Sequence, residues 1–521
     1  MNVNFKPFLP SIADIFFLTV FLTLSFPTGK MLLYDADTGY HIRTGEFILD
    51  TLSIPRHDIF SFISPPLPWT AHEWLSEVIM ALIHKAFGLT GVVIFFSFAI
   101  ASVYYLLFKI VQTYKGNIIL ATLLVLLVVV SSSLHWFARP HIFSWALMLV
   151  WYCLLDLYQY RDKNYLYLLP PIMLLWVNLH GGFMSGFILI GVYLLGNLIR
   201  FCIAQGTERQ RCKNKLRLLG LTALACLLVS PINPYGYRIL LFPFRLVSDK
   251  VIMDNVQEFL SPNFHGSMPF RYLLFLMIAI LAISRSSLNV IELMLILLFT
   301  HMALYSARYI PLFAIIAAPI LLKQAEIILQ NLNGRFIEFF KQRSNNVALI
   351  DASTKGYLWP LASVAAVSIF AGSGVVEHKF DEKLKPVAAV EFLQRETLKG
   401  NMFNDDEFGD YIIYAAWPKY KVFFDGRSDM YGSSRIKEYL KITRLEPGWE
   451  KVIEKYNIKW VIYGAASGLS TFLMASKDWH LIYADKVANI FVKKIAENQA
   501  IISKYPDVKL VIEEDDSKEF K

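Results

Sequence analysis

Apolar residues run through this chain in blocks too long for the core elements of a soluble domain. A membrane-crossing helix needs about 20 mostly apolar residues, with about 17 as a lower bound. On that measure the pattern predicts eleven spans, at 12–33, 89–111, 118–136, 140–159, 165–179, 182–200, 217–231, 269–284, 287–305, 309–329 and 357–376, with up to thirteen allowed. Segment 74–87 is apolar but only half a span, and Gly88 ends it, so it reads as a juxtamembrane or re-entrant helix. Beyond residue 376 the pattern changes. Val387–Arg395 has helical periodicity, while Asn401–Asn404, Val422–Phe424, Trp460–Tyr463 and Asn489–Val492 have the β-branched and aromatic character of strands. The fold class expected is an α-helical polytopic membrane protein with a C-terminal α/β domain. The transmembrane domain covers 1–376 and includes a large outer loop at 34–73. A soluble domain on the outer, periplasmic or extracellular side covers 377–521, and the acidic stretch 513–518 reads as a solvated end.

Composition narrows the class. Hydrophobic residues make up 55% of the 521 and charged residues 18%, against roughly a quarter charged in an average soluble chain. A soluble multidomain enzyme, a disordered chain and a disulfide-stapled secreted domain are excluded. The net charge of +8 does not point to nucleic acid, because the basic residues sit in short loops beside apolar runs. Residues 200–217 hold Arg200, Arg209, Arg211, Lys213, Lys215 and Arg217 against one acid, Glu208. Lys109 with Lys115, Arg161 with Lys163, Arg285 and the stretch from Lys323 to Lys355 follow the same pattern. The positive-inside rule assigns all of these to the cytoplasm. With an uncleaved first span after Lys6 and a cytoplasmic N-terminus, the loop 34–73 and the tail then fall outside. Four cysteines without C-x-x-C spacing imply neither disulfides nor a thiolate metal site.

That topology gathers the polar motifs at one membrane face. Asp35-Ala36-Asp37 directly follows the first span, and a helix over Thr38–Leu49 would put His41 one turn beyond Asp37. Carboxylates at a wet boundary can serve as general bases, so Asp35 and Asp37 are the catalytic candidates. With histidine they could also hold a divalent cation, for which Asp37, His72 and Glu73 are the candidate ligands. The plainer alternatives are Asp37 as a helix N-cap and His72-Glu73-Trp74 as an interfacial anchor with a capping acid. Arg139 and His141 flank Pro140. An arginine there either snorkels to headgroups or clamps a phosphate, for which its planar fork is suited. Arg308, with Tyr309, is the second phosphate candidate. Asn178 and His180 interrupt an apolar stretch at a depth where polar residues face a cavity, and Gly181-Gly182 makes the turn. Asn233-Pro234-Tyr235-Gly236 reads as a plain turn. Asp425-Gly426-Arg427 is first a turn signal, with Asp425 and Arg427 as acceptor-binding candidates beside His41, His141, Asn178 and His180. Asn404-Asp405-Asp406-Glu407 reads as a helix start. No Walker motif, dinucleotide fingerprint, nucleophile elbow or His-Glu-x-x-His is present, so cytosolic nucleotide chemistry has no support.

These motifs resemble the GT-C superfamily of integral-membrane glycosyltransferases. The shared features are one span, an acidic first outer loop opening with Asp, many further spans and an outer α/β domain. The pattern Asp37, His41, Thr44-Gly45-Glu46, His72-Glu73-Trp74, Arg139-Pro140, Asn178-Leu179-His180-Gly181, Asn233-Pro234-Tyr235-Gly236 and Asp425-Gly426-Arg427 is similar to that of a bacterial multi-pass group with no assigned activity. The resemblance implies a bacterial inner-membrane enzyme that moves a sugar from a polyprenyl-phosphate-linked donor to a glycan, lipid or protein acceptor on the outer side. Asp35 or Asp37 would be the base or acceptor-orienting acid, and Arg139 or Arg308 would stabilise the departing phosphate. The implied partners are the sugar lipid and membrane lipids, with no nucleic acid, and a divalent cation (Mg²⁺ or Mn²⁺) is permitted without being required. Two departures stand out. A Lys-Pro-Pro-like tract at the end of the first loop is replaced by Thr70-Ala71-His72-Glu73-Trp74, and the Trp-Trp-Asp-Tyr-Gly motif of oligosaccharyltransferases is absent, so Asn-linked glycosylation is not expected. The alternatives are a non-catalytic transporter, flippase or assembly subunit for envelope polysaccharide, and an O-antigen ligase or polymerase.

Overall fold

The computed structural model describes residues 8–114 and 116–511, so Lys6, Lys115 and the acidic stretch 513–518 lie outside it. The chain forms two compact units. One takes Met1–Leu32, Phe87–Phe244 and Asp254–Glu377, and the other takes Leu33–Ala86, Arg245–Met253 and His378–Lys521.

Among the described residues, five helices are long and apolar enough to cross a membrane: Trp74–Gln112, Ile118–His135, His141–Arg161, Gly181–Ile203 and Ala307–Asn331. Shorter apolar helices occupy Ile12–Ser25, Leu166–Leu179, Phe270–Ile283, Val290–Tyr305 and Leu358–Gly372. The chain is a multi-pass membrane protein. The first expected span, 12–33, is realised as Ile12–Ser25 followed by a 3₁₀ stretch, Pro27–Leu33. A capping box between Ser11 and Asp14 fixes its start, and Pro27, which lacks an N–H, ends its α-helical hydrogen bonding. The expected span 217–231 is the second half of a longer helix, Gly206–Val229, whose first half carries the basic cluster. Backbone geometry leaves the helical region at Gly88 (φ 62°, ψ −164°), so 74–87 and the segment after Gly88 are separate helical pieces.

The helical unit is organised around Ile310–Asn331. From Ile310 to Leu322 that helix is apolar and buried at every position, the pattern of a helix enclosed on all sides. It packs against Ile118–Ser132, His141–Arg161, Phe270–Ile283 and Val290–Tyr305.

In the second unit a four-stranded sheet has the order β1 (Asn401–Asn404), β2 (Ile458–Gly464), β4 (Ala488–Lys493), β3 (Trp479–Ala484). β1 and β2 are parallel, and the remaining pairs are antiparallel. The parallel step needs a crossover, which Asp406–Ala416, Ser428–Thr443 and Trp449–Lys455 supply. Met402–Asn404, Trp460–Tyr463 and Ala488–Val492 are buried without alternation, as in a sheet covered on both faces. Three of the four expected strands are present. Val422–Phe424 is buried but is no strand of the sheet; among the described residues it makes an isolated bridge, Ser61 to Val422. Its backbone is satisfied by a side chain instead. The Asn404 amide oxygen accepts from Phe423 N–H (2.8 Å), and the Asn404 amide nitrogen donates to Phe424 O (2.7 Å). The fourth strand is Trp479–Ala484. The expected helix at Val387–Arg395 forms as Val387–Glu396.

Helix Asp37–Thr51 belongs to this unit and packs on Asp406–Ala416. That approach is close because Gly39 carries no side chain, and Gly45 likewise lets the helix beginning at Trp74 come close. A Cβ at Gly39 would lie 2.7 Å from Asp410 O, and one at Gly45 would lie 1.9 Å from Glu77 O.

Candidate functional site

Candidate residues form two clusters, one in each unit. The first, in the sheet-containing unit, is built around Asp37. Asp37 is the first residue of its helix and its N–H donates to Asp35 Oδ1 at 2.9 Å; the N-cap position is Ala36, so Asp37 is not the cap. Asp37 is buried, and Gly426 abuts it. A Cβ on Gly426 would sit 2.2 Å from Asp37 Oδ1 and 3.1 Å from Asp410 Oδ2, so both carboxyls converge on the bare α-carbon. Gly426 N–H donates to both oxygens of Asp410, at 3.1 Å each. Burial, reinforced by the charges of Asp37 and Asp425, pushes the Asp410 carboxyl well above the usual carboxylate range. The two carboxyls thus lie close together, and burial with the neighbouring charge of Asp37 favours the neutral form of Asp410.

Behind this pair lies a fully buried ionic core. Arg427 donates from Nε and Nη2 to Asp425 (2.7 Å each) and from Nη2 to Asp58 (2.9 Å). Its guanidinium lies over the rings of Phe60 and Trp69, 4.9 and 4.6 Å from their centroids. Tyr431 donates to Asp425 at 2.7 Å. Burial would raise the Asp58 carboxyl, but Arg427 and hydrogen bonds from Ser61 and Phe60 outweigh it and hold it low. Both carboxylate oxygens of Asp425 and the Nε and Nη2 of Arg427 are thus engaged with the core, while Arg427 Nη1 is buried with no hydrogen-bond partner among the described residues. On the far side, His41 Nδ1 meets Glu77 at 3.2 Å and Nε2 meets Glu73 at 3.6 Å, and His72 Nε2 meets Glu73 at 3.7 Å. Among the described residues no three His, Cys, Asp or Glu side chains are grouped as metal ligands would be. Asp37, His72 and Glu73 do not form such a set here.

The second cluster, in the helical unit, joins Arg139 and Arg308. Arg308 donates to Glu258 Oε1 at 3.0 Å, and Arg139 pairs with Glu258 Oε2 at 3.4 Å. The short turn Gln257–Phe259 that presents Glu258 is tied to the turn presenting Arg308. Ser306 Oγ donates to Glu258 O (3.0 Å), Ala307 N–H donates to Leu260 O (2.9 Å), and the Arg308 guanidinium lies over Phe259. Burial would raise the Glu258 carboxyl, but the guanidiniums of Arg308 and Arg139 outweigh it and bring it down to about 2. Tyr309 follows Arg308 on the same turn; among the described residues its hydroxyl makes no hydrogen bond to either arginine.

His180 stands beside this pair, Nε2 lying 3.5 Å from Arg308 Nη2. Gly182 N–H donates to His180 Nδ1 at 2.9 Å, so Nδ1 is an acceptor and the ring proton sits on Nε2. Ser144 adds a second donor, 2.7 Å from Nδ1, its own oxygen accepting from Trp176 Nε1 at 2.8 Å. Arg139, Arg308 and His180 therefore present only donors to one region. His141 and Asn178 hold the scaffold: His141 Nε2 donates to His135 O (2.9 Å), while Asn178 donates to Ile232 O (3.1 Å) and accepts from Asn233 (3.1 Å), closing the turn Asn233–Gly236.

Sequence reading did not single out Glu258, Asp410, Asp58 or Ser144. Asp410 carried a signal, a lone acid in the apolar face Phe408-Gly409-Asp410-Tyr411-Ile412. Glu258 carried none.

Comparison with known proteins gives the fold a context. No family model matches the chain, and no curated protein matches it in sequence. Among solved structures it is similar to the archaeal oligosaccharyltransferase AglB from Archaeoglobus fulgidus, determined with an inhibitory peptide and a dolichol-phosphate. The TM-score is 0.57 at 11% identity, over 87% of this chain and 69% of that one. An apo oligosaccharyltransferase structure from the same organism gives 0.52 at 12% identity, over 93% of this chain and 74% of that one. The fold is similar to that of these oligosaccharyltransferase structures, in line with the resemblance read from the sequence.

Proposed function

We propose that this chain is a GT-C-type glycosyltransferase of the bacterial inner membrane, moving a sugar from a polyprenyl-phosphate-linked donor to an acceptor on the outer face. The observation that carries this reading is the convergence of Arg139 and Arg308, far apart in sequence, on a single carboxylate at 3.4 and 3.0 Å, in a chain with an oligosaccharyltransferase-like fold. Two guanidiniums and the His180 Nε2–H are suited to the oxygens of a departing lipid phosphate, whose charge grows as the bond to the sugar breaks. Asp37 would accept the acceptor's proton. Burial and the charge of Asp37 favour the neutral form of its neighbour Asp410, which would limit the negative charge beside that step. Asp35 positions the Asp37 backbone. His41, His141, Asn178, Asp425 and Arg427 support the two sites. A divalent cation at Asp37, His72 and Glu73 would find no three-ligand group among the described residues. The dolichol-phosphate in the archaeal structure is a polyprenyl phosphate of the class proposed.

The test is transfer by purified protein with Asp35→Asn, Asp37→Asn and the double substitution, alongside melting curves. Loss of transfer at an unchanged melting temperature is expected for Asp37→Asn. Wild-type turnover by both single variants and the double would refute the assignment.

A further inference from the structure

The proposed chemistry leaves the basic stretch between Lys323 and Lys355 unused, and most of that stretch is one helix. Arg335–Ala352 joins two apolar helices, Ala307–Asn331 before it and Leu358–Gly372 after it. Gly334, at φ 128°, turns the chain into it. One face is tied to the ends of three other apolar helices. Ser344 Oγ accepts from Ile118 N–H at 3.1 Å, and Asp351 accepts from Ile12 N–H at 2.6 Å and from Gln112 Nε2 at 3.0 Å. Ile12 and Ile118 start their helices, and Gln112 ends its own. The helix therefore lies across the ends of membrane helices, at the level where lipid meets water. Tyr357 and Trp359, both exposed at the opening of the next apolar helix, are residue types that favour this level.

The adjoining face is apolar and uncovered. Phe336 is 76% exposed, Phe339 54% and Ile350 47%. With Arg343 they fall at i, i+3, i+7 and i+14, one side of a helix. Arg343 lies over the Phe339 ring, 5.0 Å from its centroid, and Arg335 is exposed next to Phe336. Glu338 and Asn345 are exposed on the far side. An apolar stripe bordered by arginines at a membrane boundary is the pattern of a helix that beds in one leaflet. We propose that Arg335–Ala352 docks on anionic phospholipid, with Phe336, Phe339 and Ile350 among the acyl chains and Arg335 and Arg343 on lipid phosphates. Continuity with membrane helices at both ends selects lipid as the occupant, and the planar guanidinium suits a phosphate. The positive-inside rule puts this helix at the cytoplasmic leaflet, whose anionic lipids attract basic segments. The proposal is independent of the transferase reading.

Photo-crosslinking of the full chain tests this in nanodiscs of equal parts phosphatidylglycerol and phosphatidylcholine. p-Benzoylphenylalanine replaces Phe336, Phe339 or Asn345 in turn, and mass spectrometry identifies the adducts. Lipid adducts are expected at the first two positions and not at the third. Phosphatidylglycerol should exceed phosphatidylcholine in them by about fivefold, the weight of one arginine near an anionic surface. Arg335→Gln combined with Arg343→Gln should make the two lipids nearly equal while the adducts persist. Absence of lipid adducts at both phenylalanine positions, or adducts to a second copy of the chain in their place, overturns the proposal. Equal capture of the two lipids with both arginines present overturns it as well, and so does a preference that survives their loss. Should the doubly substituted chain not fold, the adducts formed with both arginines present still decide.

Discussion

Removing the charge of Arg427 should open the sheet-containing unit locally. The guanidinium is 2% exposed and neutralises two carboxylates that are themselves buried, Asp425 at 0% and Asp58 at 7%. In Arg427→Met both would keep their burial and lose their cation. Breaking one side of a buried pair costs about 3–5 kcal/mol, and the contacts with Phe60 and Trp69 add roughly 0.5–2 kcal/mol. A loss of about 4 kcal/mol corresponds to roughly a thousandfold faster opening-limited exchange. The amides to follow are Val422, bonded to Phe60 O at 3.1 Å, and Phe62, bonded to Val422 O at 3.3 Å. Hydrogen exchange read by mass spectrometry on the full chain should show that loss of protection around 58–63 and 422–431, with less change in β2 and β4. The pH response carries the sign. Arg427 and its hydrogen-bond donors hold Asp58 below its unfolded value, so wild type loses this stability as pH falls through that range. With Arg427 removed, burial is opposed only by the hydrogen bonds from Ser61 and Phe60, so the variant should lose less stability on acidification than wild type. Unchanged protection in Arg427→Met would show that the ionic core is incidental, refuting this account of how Phe424–Arg427 is held.

Other substitutions probe other links. Gly426→Ala should reduce transfer sharply while lowering the melting temperature only modestly, because its Cβ would fall 2.2 Å from Asp37 Oδ1; transfer assays and melting curves together check this. Gly45→Ala should destabilise strongly, since its Cβ would lie 1.9 Å from a backbone oxygen that cannot move away like a side chain, and purification yield with thermal melting reports it. Glu258 is held at about 2 against 4.5, so its contribution is complete above about pH 4.5 and lost as pH falls toward about 2. Wild type should lose melting temperature across that window, and Glu258→Gln should flatten the dependence.

How much of this was legible in the sequence follows from the range of the interactions. The apolar blocks declared a membrane protein because burial in lipid imposes length and composition locally. Local chemistry likewise announced the helix start at Asp405, whose side chain accepts from Glu407 N–H, and the turn at Asn233. Val422–Phe424 misled because its apolar character reflects burial, while Val422 bonds to Phe60 and Phe62 and the next two residues bond to the Asn404 side chain, partners that no periodicity encodes. Arg139 and Arg308 were each recognisable by type and place. Their shared carboxylate was not, since Glu258 lies 119 residues from one and 50 from the other. Asp410 was hidden the same way: what makes it unusual is the nearness of Asp37, and that exists only after folding.

The central claim is that the arginine pair receives a lipid phosphate, and a density map of the full chain in nanodiscs with added polyprenyl phosphate tests it most directly. The account predicts phosphate density within hydrogen-bond distance of the Arg308 and Arg139 guanidiniums and of His180 Nε2. A lipid phosphate bound elsewhere, with both arginines still closed on Glu258, would contradict it.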